Sequence, residues 1–166
     1  VYAKNKKAAA ALSKQVQEHK LQKTYRAVVC GKPVDNNGTY VDYLKQDKKN
    51  NCSRIVDKSD PESKRAELEY KVLDCIQTEE KDPQYLSLVE IKLLTGRHHQ
   101  IRVQFSGHGT PLYGDGKYGN NEKAVRKSLA LCACHLKFKH PATGKIMDFQ
   151  IKPDTGAFKL FSKSND

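Results

Sequence analysis

Two runs of alternating apolar and polar residues, joined by a short charged link, constrain this chain most. KRAELEYKVLDCIQ (64–77) puts Ala66, Leu68, Tyr70 and Val72 on one side with charge between them. QYLSLVEIKLLTG (84–96) sends Leu86, Leu88, Glu90 and Lys92 one way and Tyr85, Val89, Ile91 and Leu93 nearer the other. A period of two is the pleat of a β-strand, since successive Cβ atoms leave opposite faces. The link Glu79–Pro83 is charged and contains proline, so the two runs predict an antiparallel hairpin. LALCACHLKFKHP (129–141) repeats the signal, with Leu129, Leu131, Ala133 and His135 against Ala130, Cys132, Cys134, Leu136 and Phe138. Ala142-Thr143-Gly144 reads as a turn, and KIMDFQIKP (145–153) pairs back as a second hairpin.

The remaining segments fit around that sheet. NKKAAAALSKQVQEH (5–19) predicts a helix, with Asn5 as N-cap, four alanines of high helix propensity, and a stripe of Ala8, Leu12, Gln15/Val16 and His19. LQKTYRAVVCG (21–31) predicts a strand ending at Gly31. Residues 32–63, with Pro33, Asn36-Asn37-Gly38 and Pro61, read as a long, mostly surface connection with short elements near 39–46 and 53–57. HHQIRVQFSG (98–107) spaces Ile101 from Phe105, and His98 from Arg102, by one helical turn and predicts a short helix. TPLYGDGKYGN (110–120) is a glycine-rich loop in which Asp115 is expected to accept backbone hydrogen bonds. The tail predicts one short helix carrying Phe158 and Phe161. Together these give a single α+β domain with a largely antiparallel sheet.

The 166 residues suffice for one core without staples. A formal net charge of +11 favours a polyanionic partner, nucleic acid first. The five cysteines form no CxxC pair, so reduced thiols in a cytosolic protein are expected. No apolar run approaches the roughly 18 residues of a membrane span, so no membrane partner is expected. Val1-Tyr2-Ala3-Lys4 carries neither the h-region nor the cleavage site of a secretory signal. The chain opens without Met, on an apolar strand end running into a helix, and is expected to be a piece lacking its N-terminal part.

LLTGRHHQIRVQFSGHG (93–109) concentrates the chemistry. His98, His99 and His108 do not make a metal site, because adjacent helical residues point about 100° apart and no carboxylate or thiol lies in the stretch. GDGKYG lacks both GxxxxGK[ST] and GxGxxG, so a tight turn outranks a phosphate cradle. Cys134 and His135 leave opposite faces of a strand, which argues against a Cys-His nucleophile. RNA binding survives: Arg97 and Arg102 flank Gln100, Arg forks grip phosphates and Gln reads base edges. Lys20, Lys23 and Arg26 surround Tyr25, whose ring is either a base-stacking platform or a half-buried strand aromatic.

KTYRA (23–27), LLTGRHHQIR (93–102) followed by GTPLYGDGKYG (109–119), and LALCACHLKFKHPATGK (129–145) resemble, in order and spacing, the RluA-type pseudouridine synthases. The likeness runs from about residue 1 to 153 and implies that family's mixed, largely antiparallel sheet flanked by short helices. It implies isomerisation of uridine to pseudouridine in ribosomal or transfer RNA, with no cofactor and no metal. The family's nucleophile is an Asp in a His-Arg-Leu-Asp motif just upstream of the segment matching Val1-Tyr2-Ala3-Lys4, and that motif is not in this sequence. Residues 1–166 would then be the larger part of a catalytic domain, inactive alone. The resemblance makes Tyr25 the residue that stacks on the flipped uracil with its hydroxyl near the sugar, and Arg102 the partner of the absent Asp. It makes Leu131 an apolar wall under the base, and has Arg97 and Gln100 shape the site or bind RNA. Arg102 is expected among apolar neighbours, on the same side of the fold as Tyr25. His98 stands where the family usually has a small hydroxyl residue, and Cys132 where it often has His. A non-catalytic RNA-binding module derived from such an enzyme is the alternative.

Overall fold

Alternation dictates strands, and seven of them form: β1 Gln22–Cys30, β2 Asn37–Asp47, β3 Cys52–Val56, β4 Lys64–Gln77, β5 Tyr85–Leu93, β6 Leu131–Lys139 and β7 Ile146–Gln150. The computed structural model describes residues 1–18, 20–78, 84–119 and 128–161. Among them the strands lie in one sheet, ordered β3-β2-β4-β5-β1-β6-β7, and every neighbouring pair is antiparallel. Both expected hairpins form. Tyr70 faces Ile91 and Val72 faces Val89 across β4 and β5; Phe138 faces Met147 across β6 and β7. The expected link Glu79–Pro83 lies outside the described residues.

The central strand β1 is covered on both faces. Ala27, Val28 and Val29 are fully buried, and odd and even positions enter different cores. Ala27 and Val29 pack with Leu68, Tyr70, Val89 and Ile91 of the sheet and with Ile101, Phe105 and Leu112. Val28 packs on the reverse face with Leu86, Phe158 and Phe161. The two phenylalanines come from the 3-10 helix Gly156–Phe161, where a short helix was expected. Burying such side chains is worth about 1.5–3 kcal/mol each, which fixes the strand register.

Two α-helices complete the described fold. α1 is Lys6–Gln17, and Asn5 Oδ1 accepts from the Ala8 N–H at 2.9 Å. Leu12 is its buried residue, while Val16 on the expected stripe is 52% exposed; His19 lies outside the described residues. The Gln15 amide ties α1 to β6, donating to Lys139 O at 2.7 Å and accepting from Lys139 N at 2.8 Å. α2 is Gln100–Gly107, with Ile101 and Phe105 facing the core as expected. His99 has φ 52° and begins the helix from outside it, so His98 does not share a helical face with Arg102, contrary to expectation.

Residues 32–63 carry the elements expected near 39–46 and 53–57, but as strands of the sheet and not as parts of a surface connection. β2 and β3 extend the sheet by two strands. Their pattern is faint because Tyr40 and Leu44 are the two buried positions of β2, while neighbours such as Val41 point to solvent.

Candidate functional site

The site grows from β1. Tyr25 is an odd-numbered strand residue, so it shares a face with Ala27 and packs against the core that contains Ile101 and Phe105 of α2. Leu131 faces Ala27 across β6 and packs on the same core. Tyr25 and Leu131 therefore lie on one apolar sheet face, the face that α2 covers. The pairing of β1 with β6 slips beside Tyr25: Thr24 faces His135 while Tyr25 faces Ala133, leaving Cys134 as the extra residue. Such a bulge bends a strand and re-aims the adjacent side chain. Tyr25 is half-buried, and that burial pushes its phenol pKa above the ordinary value. It remains a neutral O–H near pH 7.

Arg102 departs from expectation. It does lie on the α2 side of the sheet, with Tyr25, but its neighbours are polar. Its Nε donates to Asp115 Oδ2 at 2.8 Å and its Nη2 to Asp115 Oδ1 at 2.7 Å. Its guanidinium carbon sits 4.9 Å from the centre of the Tyr118 ring. The partner reserved for an absent Asp is thus, in this chain, Asp115. That carboxylate is fully buried, and Oδ1 also accepts from the Lys117 and Tyr118 N–H groups at 3.0 Å each. The two backbone bonds are the turn role expected of Asp115. Burial alone would raise its pKa, but the Arg102 guanidinium and these two N–H groups outweigh it and hold the carboxyl below the ordinary aspartate value. The same pairing raises Arg102 further. A guanidinium has two bidentate edges; Nε and Nη2 serve Asp115, and Nη1 lies 3.4 Å from His99 Nε2.

Tyr118 links this pair to the β2–β3 hairpin. Its hydroxyl accepts from Ser53 N–H at 2.8 Å and lies 2.8 Å from His99 Nδ1. His98 continues the link, with Nδ1 3.0 Å from Ser53 Oγ and Nε2 3.1 Å from Asn51 Oδ1. Burial, then the charges of Arg102, His98 and Lys117, hold His99 below the ordinary histidine value. Among the described residues no group of three His, Cys, Asp or Glu side chains could hold a metal ion.

Gln100, expected to shape the site or bind RNA, lies at the start of α2. Its side chain is buried and held at both ends: Oε1 accepts from Thr95 Oγ1 at 2.8 Å and from Arg97 N–H at 2.9 Å, and Nε2 donates to Glu67 O at 3.0 Å. It locks the start of α2 to β4. Arg97 is exposed; its Nε donates to Arg65 O at 2.9 Å, leaving the outer edge of the fork open. Asp115, Tyr118 and His99 escape sequence reasoning as site residues. The signal for them is weak, because Gly-Asp-Gly reads equally well as a plain turn.

The chain has clear relatives. A family described as RNA pseudouridylate synthase matches residues 1–107. "Ribosomal large subunit pseudouridine synthase D" of Zymomonas mobilis is 36% identical over 160 residues, covering 92% of this chain and 48% of that protein. "Ribosomal large subunit pseudouridine synthase C" of Rickettsia bellii is 31% identical, covering 90% and 48%. The chain spans about half the length of the curated relatives it matches. The solved structure of human RNA Pseudouridylate Synthase Domain Containing 1 superposes with a TM-score of 0.74 at 25% identity, covering 92% of this chain and 62% of that one. With the ordered motifs and the sheet that carries them, these matches establish that the chain belongs to the RNA pseudouridylate synthase family.

Proposed function

We propose that this domain serves an enzyme that isomerises uridine to pseudouridine in ribosomal or transfer RNA. In this reading residues 1–166 form the larger part of the catalytic domain, and a nucleophilic aspartate comes from polypeptide outside them. The observation that carries it is the placement of Tyr25 and Leu131 on one apolar sheet face, with the Arg102–Asp115 pair on the same side. The reaction breaks the bond from the base nitrogen to the sugar, re-forms the link through a base carbon, and moves the proton balance with it: that carbon loses a proton and the freed nitrogen gains one. It needs a base out of its stack, held between apolar surfaces, and a carboxylate kept ionised and aimed. Tyr25 supplies a ring to stack on and a neutral hydroxyl near the sugar. Leu131 supplies the wall beneath. Arg102, braced by Asp115, offers its remaining edge to the incoming carboxylate and keeps it charged. Arg97 contacts RNA, and Gln100 acts only by setting the helix that carries Arg102. The five cysteines are free thiols, which supports a reducing, cytoplasmic setting.

The test is to digest RNA incubated with the whole protein and look for pseudouridine by mass spectrometry. The parental protein is expected to form it. Arg102→Ala is expected to slow formation by about 10²–10³, the range for losing one preorganised electrostatic partner. Tyr25→Phe should keep most RNA affinity, because the ring survives. A whole protein that binds RNA but forms no pseudouridine would favour the binding-module reading instead.

A further inference from the structure

A cleft of about 440 Å³ opens between the β2–β3 hairpin and the loop at Gly96–His98. It lies beside the candidate site, since His98 and His99 connect its wall to Arg102 through Ser53 and Tyr118. Its lining is rich in cations, Lys45, Lys48, Lys64 and Arg97, against a single acid, Glu62. Lys45 is spent on Asp60 and Glu62. Among the described residues Lys48, Lys64 and Arg97 form no ion pair, so three cations face the cleft without a counter-charge.

The walls are fixed before any partner arrives. Lys117 Nζ donates to the Asn50 and Asn51 carbonyls at 3.2 and 2.8 Å, and His98 and Tyr118 hold Asn51 and Ser53. Arg97 is anchored at both ends of its backbone-facing side, by Gln100 Oε1 and Arg65 O. A preformed, polar groove with an open Arg fork and two free ammonium groups fits a chain of phosphates better than an apolar ligand. Gly96 adds room, because a Cβ there would meet no atom within 4 Å.

We propose that this cleft seats the sugar-phosphate backbone of the RNA strand carrying the target uridine, with Lys48, Lys64 and Arg97 neutralising its phosphates. The occupant rests on the isomerase reading; the cationic groove does not. The contacts of Lys117, His98 and Tyr118 with the hairpin then join the RNA-gripping surface to the start of α2, which carries Arg102, so a strand held in the cleft is registered against Tyr25.

The experiment measures binding of a fluorescent oligouridylate to this protein across a salt series, independently of catalysis. Replacing Lys48, Lys64 and Arg97 by Gln should weaken binding about tenfold or more. It should also flatten the slope of log affinity against log salt by about 2, from a slope near −0.7 per phosphate contact on single strands. Lys48→Gln with Lys64→Gln, which leaves the Arg97 backbone anchor intact, should flatten it by roughly two thirds as much. Replacing Lys92, Lys152 and Lys159, which lie on the reverse face, by Gln removes equal charge and should change binding several-fold less. Equal loss from both triple variants would overturn the proposal in favour of a diffuse field. Competition by polyglutamate as effective as competition by RNA at equal charge would overturn it in favour of an acidic polypeptide. Pseudouridine formation by the whole protein is read separately, so a failed cleft and a failed isomerase give different results.

Discussion

Asp115 decides how Arg102 behaves. A fully buried carboxylate costs several kcal/mol to desolvate unless its oxygens are filled, and here Arg102 and two backbone N–H groups fill them. Asp115→Asn would turn an Nδ2 donor toward Arg102 Nε and leave the guanidinium without its counter-charge. Because Arg102 is 18% exposed in its side chain, the low end of the range for a broken buried pair applies, about 3 kcal/mol by urea unfolding. A loss below about 1 kcal/mol would show that water replaces the pair at no cost. The pH dependence follows in sign. The Asp115 pKa is lowered on folding, so its stabilisation is complete above the ordinary value of 3.8 and is lost as pH falls through the folded value. His99 is lowered too, so its neutral form contributes stability in full above 6.5, which drains away as pH falls through its own folded value. Unfolding curves of Asp115→Asn against pH should therefore keep the change below pH 6.5 and lose the acid limb below about 3.8.

The 110–119 loop shows how one element can be read for shape and missed for chemistry. Gly114 has φ 75°, and a Cβ there would sit 2.2 Å from the Ser128 carbonyl oxygen, so backbone meets backbone. Gly109 has φ 80° with nothing within 4 Å of its Cβ position. Alanine at 109 should cost about 1–2 kcal/mol for the left-handed conformation. At 114 it should cost about 2 kcal/mol more, because no flexible side chain can move aside. Equal urea midpoints for the two variants would contradict the close approach of the loop to Ser128. The contrast explains what was legible. Strands β4, β5 and β6 declare themselves because apolar residues alternate with polar or small ones along most of their length. β2 hides because Tyr40 and Leu44 alone reach the core. The family is legible because the motifs around Tyr25, Arg102 and Leu131 keep order and spacing. The Arg102–Asp115 pair is not, because 13 residues and a turn separate its members. Nor is the structural use of Gln100, which depends on the β4 carbonyl that packing brings to it.

At the scale of the molecule, charge and sheet together set what this chain can do by itself. On the proposed reading, its +11 net charge and the open cations of the cleft should give it affinity for RNA. Isomerisation asks for something else, a carboxylate free to attack the sugar. Asp115 cannot serve, because its side chain has no exposure and its oxygens already take four hydrogen bonds. Glu90 cannot serve either, since it leaves β5 on the face opposite Val89 and Ile91, toward Arg26. The 166-residue chain should thus bind RNA with a steep salt dependence yet produce no pseudouridine, even over long incubation at high protein concentration. Nucleoside analysis of that RNA is the measurement. Pseudouridine above background would mean that a carboxylate within residues 1–166 reaches the sugar after all, and replacing the acids one by one with amides would identify it.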